Sequence, residues 1–137
     1  MITKEEVRGE VERLHTFISA WFRGDGELND FGFEREFSSV LSSSFINIQP
    51  SGEVLSRDDL LGPIERAFGS NPDFAITVSD VEIRIGMSGE FCLATYLEFQ
   101  QGAKNTVPAD NYRRSTVLFE KVDGRLVWHH IHETACV

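Results

Sequence analysis

Near the start of the chain Val7, Val11, Leu14, Ile18 and Trp21 are spaced 4, 3, 4 and 3, the repeat of an amphipathic helix with one apolar stripe. Thr3 to Glu6 reads T-x-x-E, a capping box in which each side chain serves the other's free backbone N–H. Phe17 and Phe22 widen the stripe, and Gly24-Asp25-Gly26 ends it with residues suited to a helix C-terminus. So wide an aromatic stripe needs a broad partner surface, most simply a curved sheet. Asp30 to Ser44 is less regular; Phe31, Phe33, Phe37, Val40 and Leu41 suggest a short second helix over 33–40 before a serine-rich exit. Phe45, Ile46 and Ile48 read as a short strand, Pro50-Ser51-Gly52 as a turn and Glu53-Val54-Leu55 as the return. Ser56 and Asp59 form a second capping box, opening a helix to about Phe68 that Pro63 must bend. Gly69-Ser70-Asn71-Pro72 stops it.

From there on the pattern is β. Phe74–Ile85, Phe91–Phe99, Tyr112–Val122 and Arg125–Thr134 are rich in β-branched and aromatic residues, as strands are. Gly86 to Gly89, a polar stretch from Gly102 to Asp110, and Asp123-Gly124 separate them. The order is helix, helix, short hairpin, helix, four long antiparallel strands. This predicts a single α+β domain over residues 1–137, with a strongly curved antiparallel sheet wrapped around the N-terminal helices. Such a cone fills its narrow end with side chains, and its wide end can hold an internal pocket.

The last strand carries the only concentrated chemistry, His129, His130 and His132 in RLVWHHIHET. Counting outward from an Asp123-Gly124 turn pairs Phe119 with Trp128, Val117 with His130, Ser115 with His132 and Arg113 with Thr134. This face, grading from apolar to titratable, is assigned to the interior, its polar end at the mouth. The other face pairs Glu120 with Val127, Leu118 with His129, Thr116 with Ile131 and Arg114 with Glu133, and suits a subunit interface. On this register His132 and His130 are the candidate catalytic residues, as groups that titrate near neutrality. Arg113, Ser115, Trp128 and Trp21 are candidate ligand contacts, Arg113 for a carboxylate or enolate oxygen. His129 points out.

Other chemistry is weaker. His130 and His132 with His15 could share a metal, but no carboxylate is placed near them and nothing directs His15 to the mouth. No metal and no cofactor is expected. A ketosteroid-type isomerase needs a carboxylate base and an oxyanion donor in an apolar pocket. Asp25, Asp30 and Glu98 are the acids in question, Tyr96 and Tyr112 the only tyrosines, and none lies in a recognisable motif. Asp25 reads as a solvated loop residue, and Glu98 as a strand charge unless its face is internal.

The element order and the ending D-G-x-L-x-W-x-H-x-H-x-T resemble the NTF2-like superfamily of cone-shaped α+β domains. The closest branches are the SnoaL-like and calcium/calmodulin-dependent kinase association-domain ones, which end in a glycine turn, an aromatic two residues on, and H-x-H-x-S. Gly124 matches the glycine, His130 and His132 the histidines and Thr134 the serine; Leu126 departs by taking the aromatic position, with Trp128 two residues further in. Element order covers nearly the whole chain, whereas the motif covers only its final segment. The resemblance implies a cone-shaped fold and leaves activity open, because this fold hosts isomerases, cyclases, dehydratases and non-enzymatic binders.

Composition narrows the partners. The net charge of −9, from 22 acidic and 13 basic residues, disfavours nucleic acid. No apolar run approaches the roughly 20 residues that span a bilayer, and the N-terminal residues lack a signal peptide's apolar core. Two cysteines, Cys92 and Cys136, make no metal spacing or disulfide framework, so a reducing cytoplasm is expected. The expected function is binding a small, mostly apolar organic ligand, which an enzyme of this fold could isomerise, cyclise or dehydrate without a cofactor. The alternative is a non-catalytic dimerisation or protein-interaction domain with a vestigial cavity. A homodimer through the outer sheet face is expected in either case.

Overall fold

A computed structural model describes residues 1–27 and 32–136; the expectations placed on Asp30 and Phe31 fall outside them. Helix α1 spans Lys4–Arg23, with both bonds of the Thr3/Glu6 capping box present and Gly24 left-handed at its C-cap. A short α2 (Phe33–Glu36) and a 3₁₀ turn (Ser38–Val40) follow. Strands β1 (Leu41–Ile48) and β2 (Val54–Ser56) lead into α3 (Arg57–Arg66), whose Ser56/Asp59 box is also complete and which contains Pro63. The rest is β3 (Ala75–Ile85), β4 (Phe91–Gln101), β5 (Asn111–Val122) and β6 (Arg125–Ala135). Strand β1 begins before the expected position, so the serines at 42–44 belong to it. Pairing with a neighbouring strand outweighs their weak β preference.

The six strands form one curved, open sheet in the order β2-β1-β6-β5-β4-β3. All neighbours are antiparallel except β1 and β6, which run parallel. The α1 stripe packs inside the curve, where Val7 and Val11 are fully buried. The turn of α1 into its loop is fixed by a close approach. A Cβ on Gly24 would stand 2.8 Å from the Gly69 Cα, and both glycines take positive φ, 72° and 68°, which glycine tolerates without steric cost. Among the described residues no helix is long and apolar enough to cross a membrane.

Trp21 and Trp128 lie deep in the core, 2% and 0% exposed. Their indole N–H groups donate to the Ile64 carbonyl at 2.7 Å and to Glu10 Oε2 at 2.8 Å. Trp21 packs on Phe17, Phe33 and Phe68, and Trp128 edge-on against Phe119. Each tryptophan is thus enclosed by aromatic neighbours with its polar atom satisfied, the usual state of a core tryptophan.

The register of the last hairpin corrects the simple count. Phe119 pairs with Trp128 as expected, but Leu118 then pairs with His130, leaving His129 as an unpaired extra residue. This β-bulge exchanges the faces of every later β6 residue, because strand side chains alternate with a period of two. Ile131 and Glu133 turn inward, opposite Val117 and Ser115. His130 and His132 turn outward, opposite Leu118 and Thr116. The parallel neighbour agrees, since Asn47, buried on the inner face, pairs with Ile131, while Ile46 and Ile48 flank His130 and His132. The Arg114–Glu133 pair is likewise replaced: Arg114 bonds Asp80 at 2.7 Å, and Glu133 meets Arg113. The reason is electrostatic and apolar together. The unbulged register would bury histidines beside Arg113 in place of Glu133 and turn Ile131 to solvent. His129 does point outward as expected, its Nε2 2.7 Å from Glu120 Oε1.

Deleting His129 is expected to remove cooperative unfolding or to cost more than about 3 kcal/mol, by exposing Ile131 and separating Glu133 from Arg113. His129→Ala keeps the extra residue and loses only a partly exposed pair, so it should cost less than about 1 kcal/mol. Urea denaturation of the two variants beside the parent chain is the measurement. Equal, small losses would contradict the role given to the bulge.

Candidate active site

The inner face of the sheet is apolar over most of its area and polar at the end where β5 begins and β6 finishes. His15, Asn47, Glu98, Arg113 and Ser115 are all buried there, and Tyr96 is 1% exposed. Helix α1 supplies His15, β4 supplies Tyr96, Glu98 and Gln100, β5 supplies Asn111, Arg113 and Ser115, β6 supplies Glu133, and β1 supplies Asn47. Alternation places each strand residue inward: Tyr96 pairs with Ser115, and Glu98 with Arg113.

The side chains form one continuous relay. His15 Nδ1 lies 2.7 Å from the Val11 carbonyl oxygen, and Nε2 lies 3.1 Å from Glu98 Oε1. Gln100 Nε2 donates to Glu98 Oε2 at 2.6 Å. Arg113 Nη2 donates to Gln100 Oε1 and Asn111 Oδ1, both at 3.4 Å, and Nη1 to Glu133 Oε1 at 3.3 Å. Asn47 Nδ2 reaches Glu133 Oε2 at 3.4 Å. The Tyr96 hydroxyl stands 3.4 Å from His15 Nε2, with the two rings edge-on. Two polar atoms are left over, Arg113 Nε and Ser115 Oγ, buried and without a hydrogen bond. Ser115 lies close enough to the Tyr96 phenol to favour its ionised form slightly, yet not in hydrogen-bonding geometry.

Protonation follows from this geometry. A carbonyl only accepts, so Nδ1 must carry a hydrogen, and Nε2 then faces a carboxyl oxygen with one proton between them. Burial pushes the His15 imidazole down, but the hydrogen bond and charge of Glu98, with the Val11 carbonyl and Glu133, outweigh it and hold its pKa above the ordinary value. Burial pushes Glu98 up, but His15, Gln100 and Arg113 prevail and hold it below the ordinary value. The pair is therefore an imidazolium–carboxylate ion pair. Glu133 goes the other way: burial and the charge of Glu98 raise it against Arg113 and Asn47. Burial and the two carboxylates push the Tyr96 phenol well up, so it stays a donor. The arrangement holds a carboxylate, a shared proton, a neutral phenol and a guanidinium within one buried group, the components of general acid–base chemistry at a carbonyl.

Of the residues singled out by sequence, Arg113 and Ser115 join this group. His130 and His132 do not; they face away on the opposite side of the sheet. His15 is inside, so the three histidines cannot share a metal, and among the described residues no group of three or more His, Cys, Asp or Glu side chains could hold one. Glu98 and Tyr96 prove internal. Tyr112 is outside, 48% exposed and stacked on Phe99 at 4.4 Å, and Asp25 is an exposed loop residue bonded to Arg23. The sequence offers His15 only as a possible third metal ligand; its place four residues after Val11, on the apolar side of α1, is the signal that points to burial. Glu133 was not legible, because its inward direction depends on the bulge. Two shallow depressions of about 540 and 430 Å³ lie toward the start of β6, lined by Arg35 and Arg125 with Glu34 or Glu10. Their charges are held in short surface pairs such as Arg13 with Glu10 and Glu36, and among the described residues no buried polar atom there is left without a partner.

No protein-family model matches the chain, and no curated protein matches it significantly in sequence. Solved structures do match. An NTF2-like protein of unknown function from Pseudomonas aeruginosa is 25% identical with a TM-score of 0.77, over 96% of this chain and 98% of that one. A proposed calcium/calmodulin-dependent protein kinase II association domain from Xanthomonas campestris is 16% identical with a TM-score of 0.68, over 99% and 89%. A proposed ketosteroid isomerase from Shewanella frigidimarina is 20% identical with a TM-score of 0.64, over 92% of each. The fold of this chain is the NTF2-like fold.

The ion pair has a defined pH window. His15, raised, contributes stability that is complete below its ordinary value of 6.5 and lost as pH rises through its folded value. Glu98, lowered, contributes stability that is complete above 4.5 and lost as pH falls through its folded value. The pair therefore supports the fold most between these limits. Glu98→Gln is expected to bring the His15 pKa below 6.5, since burial then dominates, and to remove the alkaline loss of stability. Imidazole NMR titration checks this, and a His15 pKa unchanged in the variant would refute the pairing.

Proposed function

We propose that this chain binds a small, mostly apolar organic molecule at the polar end of its cone and moves a proton on it without a cofactor. The reaction class is that of an isomerase, cyclase or dehydratase-type lyase. The observation that carries this is the buried relay from His15 through Glu98 to Arg113 and Glu133, set at one end of an otherwise apolar interior. Four ionisable groups buried together stabilise a fold poorly compared with apolar residues of the same volume, and perturbed groups of this kind concentrate at functional sites. Glu98 would act as the base, and Tyr96 and Arg113 would donate to the oxygen on which charge develops. His15 would hold the Glu98 carboxylate ionised. The likeness of fold to a proposed ketosteroid isomerase supports the class of chemistry and not the substrate.

The test needs no knowledge of the natural substrate. In D₂O, an apolar ketone such as 2-tetralone should exchange its α-hydrogens faster with the protein than without it. Glu98→Gln should lower that acceleration by about 10²-fold or more, and His132→Ala should leave it unchanged. A rate equal to buffer, or one insensitive to Glu98→Gln, would favour the non-catalytic reading.

We also propose that the outer face of the sheet joins two copies. Phe91, Leu93, Leu118 and Val122 lie exposed there, with Ile46, Ile48, His130 and His132 beside them, and a contiguous apolar surface of this sort marks an interaction site. The parent chain is expected to sediment as a dimer at micromolar concentration and Leu118→Glu as a monomer. A monomeric parent chain would exclude the dimer.

A further inference from the structure

Arg113 is held unlike the other paired arginines of this chain. On the surface Arg13 grips Glu10 with Nε at 2.7 Å and Nη2 at 2.9 Å, the two-pronged geometry and short distances of a strong guanidinium–carboxylate pair. Inside, Arg113 makes three contacts at 3.3–3.4 Å, only one of them to a carboxylate. Its Nε–H is buried with no acceptor. The Glu133 carboxylate is equally slack, with single contacts of 3.3 Å to Arg113 and 3.4 Å to Asn47. Both side chains keep a small opening to solvent, 11% and 12%. A buried guanidinium with an idle donor and one long carboxylate contact is under-satisfied where satisfaction matters most. A planar anion presented to Nε and Nη would complete the fork, as Glu133 does not.

We propose that the ligand of this site carries a carboxylate, that it replaces Glu133 on Arg113, and that Glu133 takes a proton from solvent as it is released. The inference rests on the binding site proposed above and names its substrate class, an apolar carboxylic acid. Charge requires the proton. The ionisable groups facing Glu133 are His15 from α1, Tyr96 and Glu98 from β4 and Arg113 from β5; β1 presents only Asn47, and the inward residues of β3 at this end, Ile76 and Val78, are apolar. With His15 and Arg113 positive and both glutamates negative the group is neutral, and a bound carboxylate would leave one uncompensated negative charge in a buried place. Of the two glutamates, Glu98 is fixed by His15 and Gln100, whereas Glu133 has the longer contacts, and burial and the charge of Glu98 already hold its carboxyl above the ordinary value. Neutral Glu133 can then donate its new O–H to the ligand carboxylate. Binding is thus coupled to proton uptake, and affinity rises as pH falls.

Hexanoate and 2-naphthoate, each beside its neutral amide, are suitable probes, followed by thermal shift and by calorimetry in buffers of different ionisation heat. The carboxylates are expected to raise the Tm of the parent chain more than the amides do, with net proton uptake on binding. Glu133→Gln removes the competing carboxylate in an isosteric side chain; it should bind the carboxylates at least tenfold more tightly and take up no proton. Arg113→Gln should lose the preference for carboxylates, and Arg113→Lys should keep part of it. The inference is overturned if carboxylates bind no better than amides to both the parent chain and Glu133→Gln, or if they bind the parent chain without proton uptake. Should carboxylates show no advantage while Glu98-dependent exchange of 2-tetralone persists, the substrate class fails and the proton-transfer site stands. Loss of both overturns the two together.

Discussion

A guanidinium set beneath the helices of a cone must find negative charge there, because an unpaired buried cation costs several kcal/mol. Arg113 is that group, and much of the interior is arranged around it. Glu98 lies opposite it on β4, Gln100 and Asn111 share its Nη2, and Glu133 reaches it only because β6 carries one extra residue. His15 then follows, since a second buried carboxylate needs its own cation and α1 supplies one in its apolar stripe. Apolar packing builds the cone, but this balance of charge decides which faces of β5 and β6 look inward at its polar end.

The fold was legible from patterns that repeat over many residues. The α1 stripe, both capping boxes, the glycine turns and the β-branched strands each reported the same architecture, and agreement among independent local signals is what makes a fold readable. The end of β6 was not readable in that way. Its pattern of alternation places His130 and His132 on the Trp128 face, and one unpaired residue, His129, reverses everything after it. Nothing in Trp-His-His-Ile announces a bulge, because the competing registers differ by a long-range matter, namely whether Glu133 or Thr134 lies beside Arg113.

The candidate site was partly visible for the same reason. Arg113 and Ser115 lie on β5 before any irregularity reaches them, so simple alternation set them inward correctly. His15 and Ser19 continue the i, i+4 row of Val7 and Val11 as a polar interruption of a core stripe, each bonded to the carbonyl four residues before it. Its partner, Glu98, is in phase with Cys92, Ala94 and Tyr96, yet a charged residue at the end of a strand reads as solvated until another charge is shown to meet it. Buried ion pairs across elements are legible only in three dimensions.

The parallel pairing of β1 with β6 sets an order of assembly. Leu41 to Ile48 lies beside Trp128 to His132, so this contact closes a loop of most of the chain, the costliest kind of contact to form early. The hairpins of β3 to β6 can form from neighbouring residues, while β1, carrying β2 and α3 with it, docks on a surface that exists only once β6 is in place. Asn47 meets Glu133 across this seam. The polar end of the cone is therefore complete only when the contact that closes the longest loop has formed.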